Sequence, residues 1–433
     1  MKRLFTLLAL SAMSLATFSA CTDTNADDPG PNPNPPGPAP SELTPDEHKQ
    51  KLESIAMQLV DEFNPADFNT LTESLASLAS YLPFEEEDEW GDSGEVPEVT
   101  QALKSGSVSA LTSAITRASE QFIIDANDGA IEVEGYRYTF DESGEPSYEE
   151  LDRTGVVEVA WDDSVATFTW GENNGQYIYT DKEEDIEYVV KTPAYINVSL
   201  KIDGTEHLNI NVEPKVIDNY TFAPKLTIKI YGGYEVVTEV NADSQKLNHN
   251  TTLNKNAKNL ISATSEFYIN GFTNPDNWVA EYDYGDGYVE TGYDPEEYFN
   301  NNVTSAQFRY DVLTLSIIGS CSDVKAMKAE AEMLDNIDYG EDYTAYYTEV
   351  AAIMNKYLDI IAVYNDTDER IADIKWQGFY NHSYDEEYDC EVISAGCEPI
   401  LVFPNGSKFS LEQFFTIEDF EDLFEQISEK FGE

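Results

Sequence analysis

The hydrophobic pattern turns helical at Thr44. Thr44-Pro45-Asp46-Glu47 reads as a capping box with Pro at the first helical position, and Leu52, Ile55, Ala56, Leu59, Val60 and Phe63 then fall on one face. A second helix is expected after Asn64-Pro65, where Phe68, Leu71, Leu75, Leu78 and Leu82 recur at three- and four-residue steps. Beyond the acidic stretch 85–89 a third stripe runs through Val108, Leu111, Ile115, Ala118 and Phe122. Residues 44–125 are therefore expected to form a small helical unit.

Near Asp128-Gly129 the period shortens from 3.6 to 2. Ile131 to Glu134, Val157 to Trp161, Ala166 to Trp170, Tyr195 to Ile202, Leu226 to Tyr231 and Tyr234 to Val240 alternate or are β-branched. Turn residues separate them, including Asn173-Asn174-Gly175 and Asp203-Gly204. Residues 126–320 are expected to be an antiparallel β unit. The remainder, 321–433, mixes both types. Tyr346, Val350, Ile353, Met354, Tyr357, Leu358 and Ile361 predict a long amphipathic helix, followed by strands at Ile371 to Tyr380 and Ile400 to Phe403. Asn405-Gly406 predicts a hairpin turn. A final helix starting near Thr416 to Asp419 is expected to bury Ile417, Phe420, Phe424 and Ile427. The fold class expected is α+β: an N-terminal helical unit, a central antiparallel β unit and a C-terminal α+β unit.

The first 43 residues have a different character. Lys2 and Arg3 precede an apolar stretch from Leu4 to Phe18 and the small residues Ser19 and Ala20. This is the three-part pattern of a secretory signal, and the stretch is too short to span a bilayer as a stable helix. Residues 1–20 are thus expected to be cleaved. Phe18-Ser19-Ala20-Cys21 resembles a bacterial lipobox, which makes Cys21 the lipidation site; Phe18 stands where Leu is usual. Residues 21–43 carry a dense Pro run from Pro29 to Pro40 and read as an extended tether at about 3.1 Å per residue.

Composition narrows the function classes. With 83 acidic and 25 basic residues the formal net charge is −58, and loss of Lys2 and Arg3 makes it two units more negative. Such a field repels phosphate polymers, so nucleic acid is excluded as a partner. It also disfavours a basic patch as the means of reaching an anionic membrane, which leaves the lipid at Cys21 as the contact.

Little easily read chemistry is present. The four histidines, His48, His207, His249 and His382, form no H-E-x-x-H pair, and no nucleophile elbow or Walker loop occurs. No catalytic or metal-ligating set and no cofactor motif is identified. Of the remaining cysteines, Cys390 and Cys397 are a candidate disulfide in a strand-turn region, with Cys321 left over as a buried thiol. One segment suits ligand binding: Trp278, Tyr282, Tyr284 and Tyr288 interleave with acids and glycines, continuing to Tyr293 and Tyr298. Flat rings beside carboxylates can stack on sugars and bond their hydroxyls; the plainer alternative is rings that cover a sheet.

The lipobox-like segment, the acidic pair Asp27 and Asp28, the Pro-rich tether and a Tyr-, Asn- and Asp-rich body together resemble the uncharacterised lipoproteins of Bacteroidetes-type gut bacteria. Phe403-Pro404-Asn405-Gly406-Ser407-Lys408, followed by aromatics and an acidic helix, is similar to the C-terminal end of such proteins. In that group an acidic cluster after the acylated Cys marks export to the cell surface. Here the pair lies six and seven residues downstream of Cys21, later than is usual. The resemblance implies an outer-membrane lipoprotein displayed at the surface, with a periplasm-facing orientation as the alternative, and brings no activity with it. The expected role is non-catalytic binding or scaffolding, of glycan or of an envelope protein. A polysaccharide hydrolase using paired carboxylates, or a structural assembly subunit, are the readings from other classes.

Overall fold

The computed structural model describes residues 38–81 and 134–431, apart from 141–145, 172, 182–185, 219–220, 272–278, 284–288, 294, 336, 338, 340–342, 386–389 and 417–419. The described chain is mixed α+β, with strand outweighing helix. It divides into two compact units: unit 1 comprises Met1–Phe63, Ala242–Asn250 and Asn259–Glu433, and unit 2 comprises Asn64–Asn241 and Thr251–Lys258. The layout expected from sequence placed the first two helices together in one helical unit. The two helices fall in different units, and each buries its apolar stripe against different strands. The third expected helix and residues 1–37 lie outside the described residues.

Unit 1 begins with β1 (Ala39–Pro40) and α1 (Pro45–Glu62). The expected capping box is present: the Glu47 amide donates to Thr44 Oγ1, and the Glu47 carboxylate accepts from the Thr44 amide at 2.8 Å. Ile55 and Val60 of the expected apolar face are buried.

Unit 2 opens with α2 (Ala66–Tyr81). Its sheet contains β2 (Glu134–Phe140), β3 (Pro146–Thr154), β4 (Val156–Trp161), β5 (Ser164–Trp170), β8 (Ile196–Ile202), β9 (Thr205–Glu213), β12 (Lys225–Ile230) and β13 (Tyr234–Ala242). They pair in the order β3-β2-β4-β5-β8-β9-β12-β13, antiparallel except for β2 with β4. β6 (Asn173–Asp181) and β7 (Ile186–Pro193) make a separate hairpin between β5 and β8, and β10 (Val216–Asp218) pairs with β11 (Thr221–Phe222). Asp203 and Gly204, expected as a turn, join β8 to β9 with φ of 50° and 75°, the two positive values that a tight primed turn demands. Asn173-Asn174-Gly175, also expected as a turn, instead opens β6 at a register shift.

Alternation along these strands gives the sheet two unlike faces. One carries Val159, Ala166, Leu200, Leu208 and Ile230, and Leu71, Leu75 and Leu78 of α2 pack there around Trp161 and Ile202. Trp161 is 1% exposed, and its indole N–H donates to the Ser74 carbonyl at 3.1 Å, so the ring fixes α2 as well as filling the core. The opposite face is polar and is described below.

After β14 (Lys246–Lys255), unit 1 continues with β15 (Lys258–Ile269), β16 (Val279–Asp283), β17 (Val289–Tyr293), α3 (Pro295–Asn302), β18 (Val303–Val312) and β19 (Leu315–Cys321). α4 (Val324–Asp335), α5 (Tyr343–Tyr357), β20 (Leu358–Tyr364), β21 (Glu369–Asp385), β22 (Cys390–Val402), β23 (Lys408–Ser410), α6 (Leu411–Phe414) and α7 (Glu421–Phe431) complete it. β15, β18, β19, β20, β21, β22 and β23 form an antiparallel run in that order. β1 pairs in parallel with Glu369 and Arg370 of β21, on the edge that β22 occupies further along the strand.

The expected helix through Ile361 stops at Tyr357. Leu358 to Tyr364, rich in β-branched residues, continues the chain as a strand between β19 and β21. The core of unit 1 joins Ile55 of α1 to Ala362, Tyr364, Ile371, Leu401, Phe403 and Phe414. Val60 packs with Phe420, Leu423 and Ile427 of the C-terminal segment; Phe420 and Ile427 are buried as expected, while Ile417 lies outside the described residues.

Candidate functional site

The polar face of the unit 2 sheet holds the candidate site. Register places Asn197, Asn211, Thr227 and Val237 in one row across β8, β9, β12 and β13, and Ser199, Asn209, Lys229 and Glu235 in the next. Neighbouring strands lie about 4.8 Å apart and same-face residues recur about every 6.8 Å along a strand, so these groups stand on a regular grid. All of them but Ser199 line a shallow trough of about 500 Å³ together with Glu213 and Lys225.

Hydrogen bonds orient the amides. Asn197 Nδ2 donates to Asn209 Oδ1 at 3.0 Å, Asn209 Nδ2 donates to Glu206 Oε2 at 3.4 Å, and Asn211 Nδ2 donates to Glu213 Oε1 at 3.1 Å. Each amide offers two N–H donors and two acceptor lone pairs, and these contacts use only one or two of the four. Lys225 Nζ lies 2.7 Å from Glu239 and Lys229 Nζ lies 3.6 Å from Glu235. The Glu239 carboxylate holds the Lys225 ammonium above the ordinary lysine range, so Lys225 stays charged at any physiological pH. The trough thus presents fixed donors and acceptors, a set suited to ligands with many hydroxyls.

The residues singled out from sequence are placed otherwise. Trp278, Tyr284 and Tyr288 lie outside the described residues. Tyr282 sits on the β16–β17 hairpin opposite Glu290. Tyr298 is structural: it packs in the cluster of Phe267, Ile269 and Val303, and its hydroxyl donates to the Asn270 carbonyl at 2.6 Å. The expected Cys390–Cys397 disulfide is not formed. Both residues lie on the one continuous strand β22, seven positions and about 23 Å apart at 3.3 Å per residue, whereas a disulfide needs Cα atoms within about 7 Å. Cys397 is a free thiol pointing its Sγ at the Tyr347 carbonyl, 3.3 Å away. Cys321 is free and buried on β19, and burial pushes both thiols above the usual cysteine range, away from nucleophilic use. Cys21, the expected lipidation site, lies outside the described residues.

Asn197, Asn209 and Asn211 escaped the sequence reading. Their only trace is the alternation in Ile196-Asn197-Val198-Ser199 and Asn209-Ile210-Asn211, which marks a strand's polar face without saying which strands adjoin. Among the described residues no group of three or more His, Cys, Asp or Glu is placed to hold a metal ion, and no helix is long and apolar enough to cross a membrane. In comparisons with known proteins, no family model matches the chain, and neither a curated protein nor a solved structure matches it.

Proposed function

We propose that the chain is a lipid-anchored envelope protein, held in the outer membrane through Cys21 and displayed at the surface, that binds glycan without cleaving it. The observation that carries the ligand class is the group of side-chain amides in the trough, Asn197, Asn209 and Asn211. Sugar hydroxyls both donate and accept, and a grid of Asn, Thr, Lys and Glu groups satisfies both demands at once. The segment from Lys2 to Cys21 and the Pro-rich tether support the address.

The test is a glycan array probed with the soluble Cys21→Ser chain. We expect binding to at least one polysaccharide class, weakened about tenfold or more by Asn209→Ala with Asn211→Ala. Two hydrogen bonds at about 1 kcal/mol each correspond to about thirtyfold, which makes tenfold the lower bound. Unchanged binding in this double variant, with loss in Trp278→Ala and Tyr284→Ala, would move the site to the aromatic segment. No binding to any glycan would end the proposal.

A further inference from the structure

His48 is a fully buried titratable group that the proposed function leaves unused. It is 0% exposed, in the first turn of α1. Its Nδ1 shares a 2.9 Å hydrogen bond with the hydroxyl of Tyr364, itself 0% exposed on β20. Its ring lies 5.6 Å from Tyr364 and 5.5 Å from Phe403, just past the end of β22, centroid to centroid. Its Nε2 is buried and has no hydrogen-bond partner among the described residues. The neutral ring tolerates this arrangement. An imidazolium does not, since its second N–H is a charged donor facing no acceptor in a dry core.

The charged groups around it come from each packed element. On α1 these are Glu47 and Lys51, the latter with Nζ 3.5 Å from the Tyr364 ring centroid; on the β20–β21 turn Asp366 sits 4.0 Å from Lys51; and on β21 there is Glu369. Lys51 and the positive end of α1 oppose a proton on His48, while Glu369 and Glu47 favour it. Burial is the largest influence, and the balance holds the ring below the ordinary histidine range. Position makes this consequential. Glu369 is also the residue that Ala39 of β1 pairs with, and the Ser41 amide donates to the Arg370 carbonyl at 2.9 Å. Residues 39–41 therefore meet the sheet of unit 1 beside Glu369, one of the charges that act on His48.

We infer that His48 is an acid-sensitive latch: a proton on its ring releases α1, and with it the β1 clamp on β21, from the sheet of unit 1. The sign follows from linkage. The folded ring binds a proton less readily than the unfolded one, so the latch is at full strength above about pH 6.5 and weakens as pH falls below it. One proton is taken up on opening, so the opening equilibrium rises about tenfold per pH unit, until the folded ring itself titrates.

Hydrogen exchange of the α1 amides in the full chain, corrected for intrinsic rates, tests this between pH 7.5 and 5. We expect α1 opening to grow towards tenfold per unit below about pH 6.5 in the natural chain, and to lose that slope in His48→Gln. Imidazole nitrogen NMR of the natural chain gives a readout that needs no variant. A His48 ring that titrates at or above 6.5 while the chain stays folded, α1 exchange that ignores pH, or an unchanged slope in a folded His48→Gln chain would each overturn the inference.

Discussion

Gly378 illustrates how one missing side chain decides a packing. It pairs with Cys397 in the β21–β22 ladder, and a Cβ built on it would lie 2.6 Å from the Thr348 nitrogen and from the Tyr347 carbonyl carbon. Those atoms belong to the backbone of α5, which cannot yield as a flexible side-chain tip would. The glycine lets α5 lie directly on the sheet, and the Cys397 thiol donates to the same Tyr347 carbonyl. Gly378→Ala should therefore destabilise unit 1 by about 1–3 kcal/mol, the usual cost of overpacking a tight contact. Urea unfolding followed by fluorescence would show a lower midpoint. An unchanged midpoint would mean that α5 shifts outward freely.

At the scale of elements, the junction between α5 and β20 is joined by one side chain. β20 starts at Leu358 and its pairing with β21 reaches only to Ile374, which leaves the Trp376 backbone beyond the ladder on that edge. Asn355, in the last turn of α5, fills the place of the missing strand. Its Nδ2 donates to the Trp376 carbonyl and its Oδ1 accepts from the Trp376 amide, both at 2.8 Å. Asn355→Ala strands both backbone groups, at about 1–3 kcal/mol each if they stay dry. The expected result is faster hydrogen exchange at Trp376, with Asn355→Asp retaining part of the protection through its acceptor. The same junction marks the limit of what the sequence discloses. The Thr44 capping box, the Asp203-Gly204 turn and the Asn405-Gly406 turn are local, and each could be read from four residues or fewer. The end of α5 could not, since Leu358 and Ile361 continue the helical stripe and only pairing with β19 and β21 makes them strand. His48 and the Asn197–Asn209–Asn211 group were hidden for the same reason. Their partners lie on other strands, and register rather than spacing brings them together.

For the whole molecule, charge and attachment work together. A chain with 83 acidic residues gains nothing from an anionic membrane surface, so the proposed place at the envelope would depend on acyl chains at Cys21. Cys21→Ser expressed in a lipoprotein-sorting host should appear in the soluble fraction, whereas the natural chain should pellet with membranes and be shaved by protease added to intact cells. A serine variant that still pellets would assign the attachment to some other contact.

The order of the units along the chain has a bearing on biogenesis. Unit 2 lies almost wholly within one stretch, while unit 1 is split around it, with α1 on one side and its partners Tyr364, Phe403 and Phe414 on the other. His48 and Tyr364 are separated by 316 residues. If the chain is exported from its amino end, as proposed, it would complete the inner module first and keep α1 waiting, greasy side bare, until the last hairpins arrive. Slow topologies of this kind favour escort by holding factors during transit.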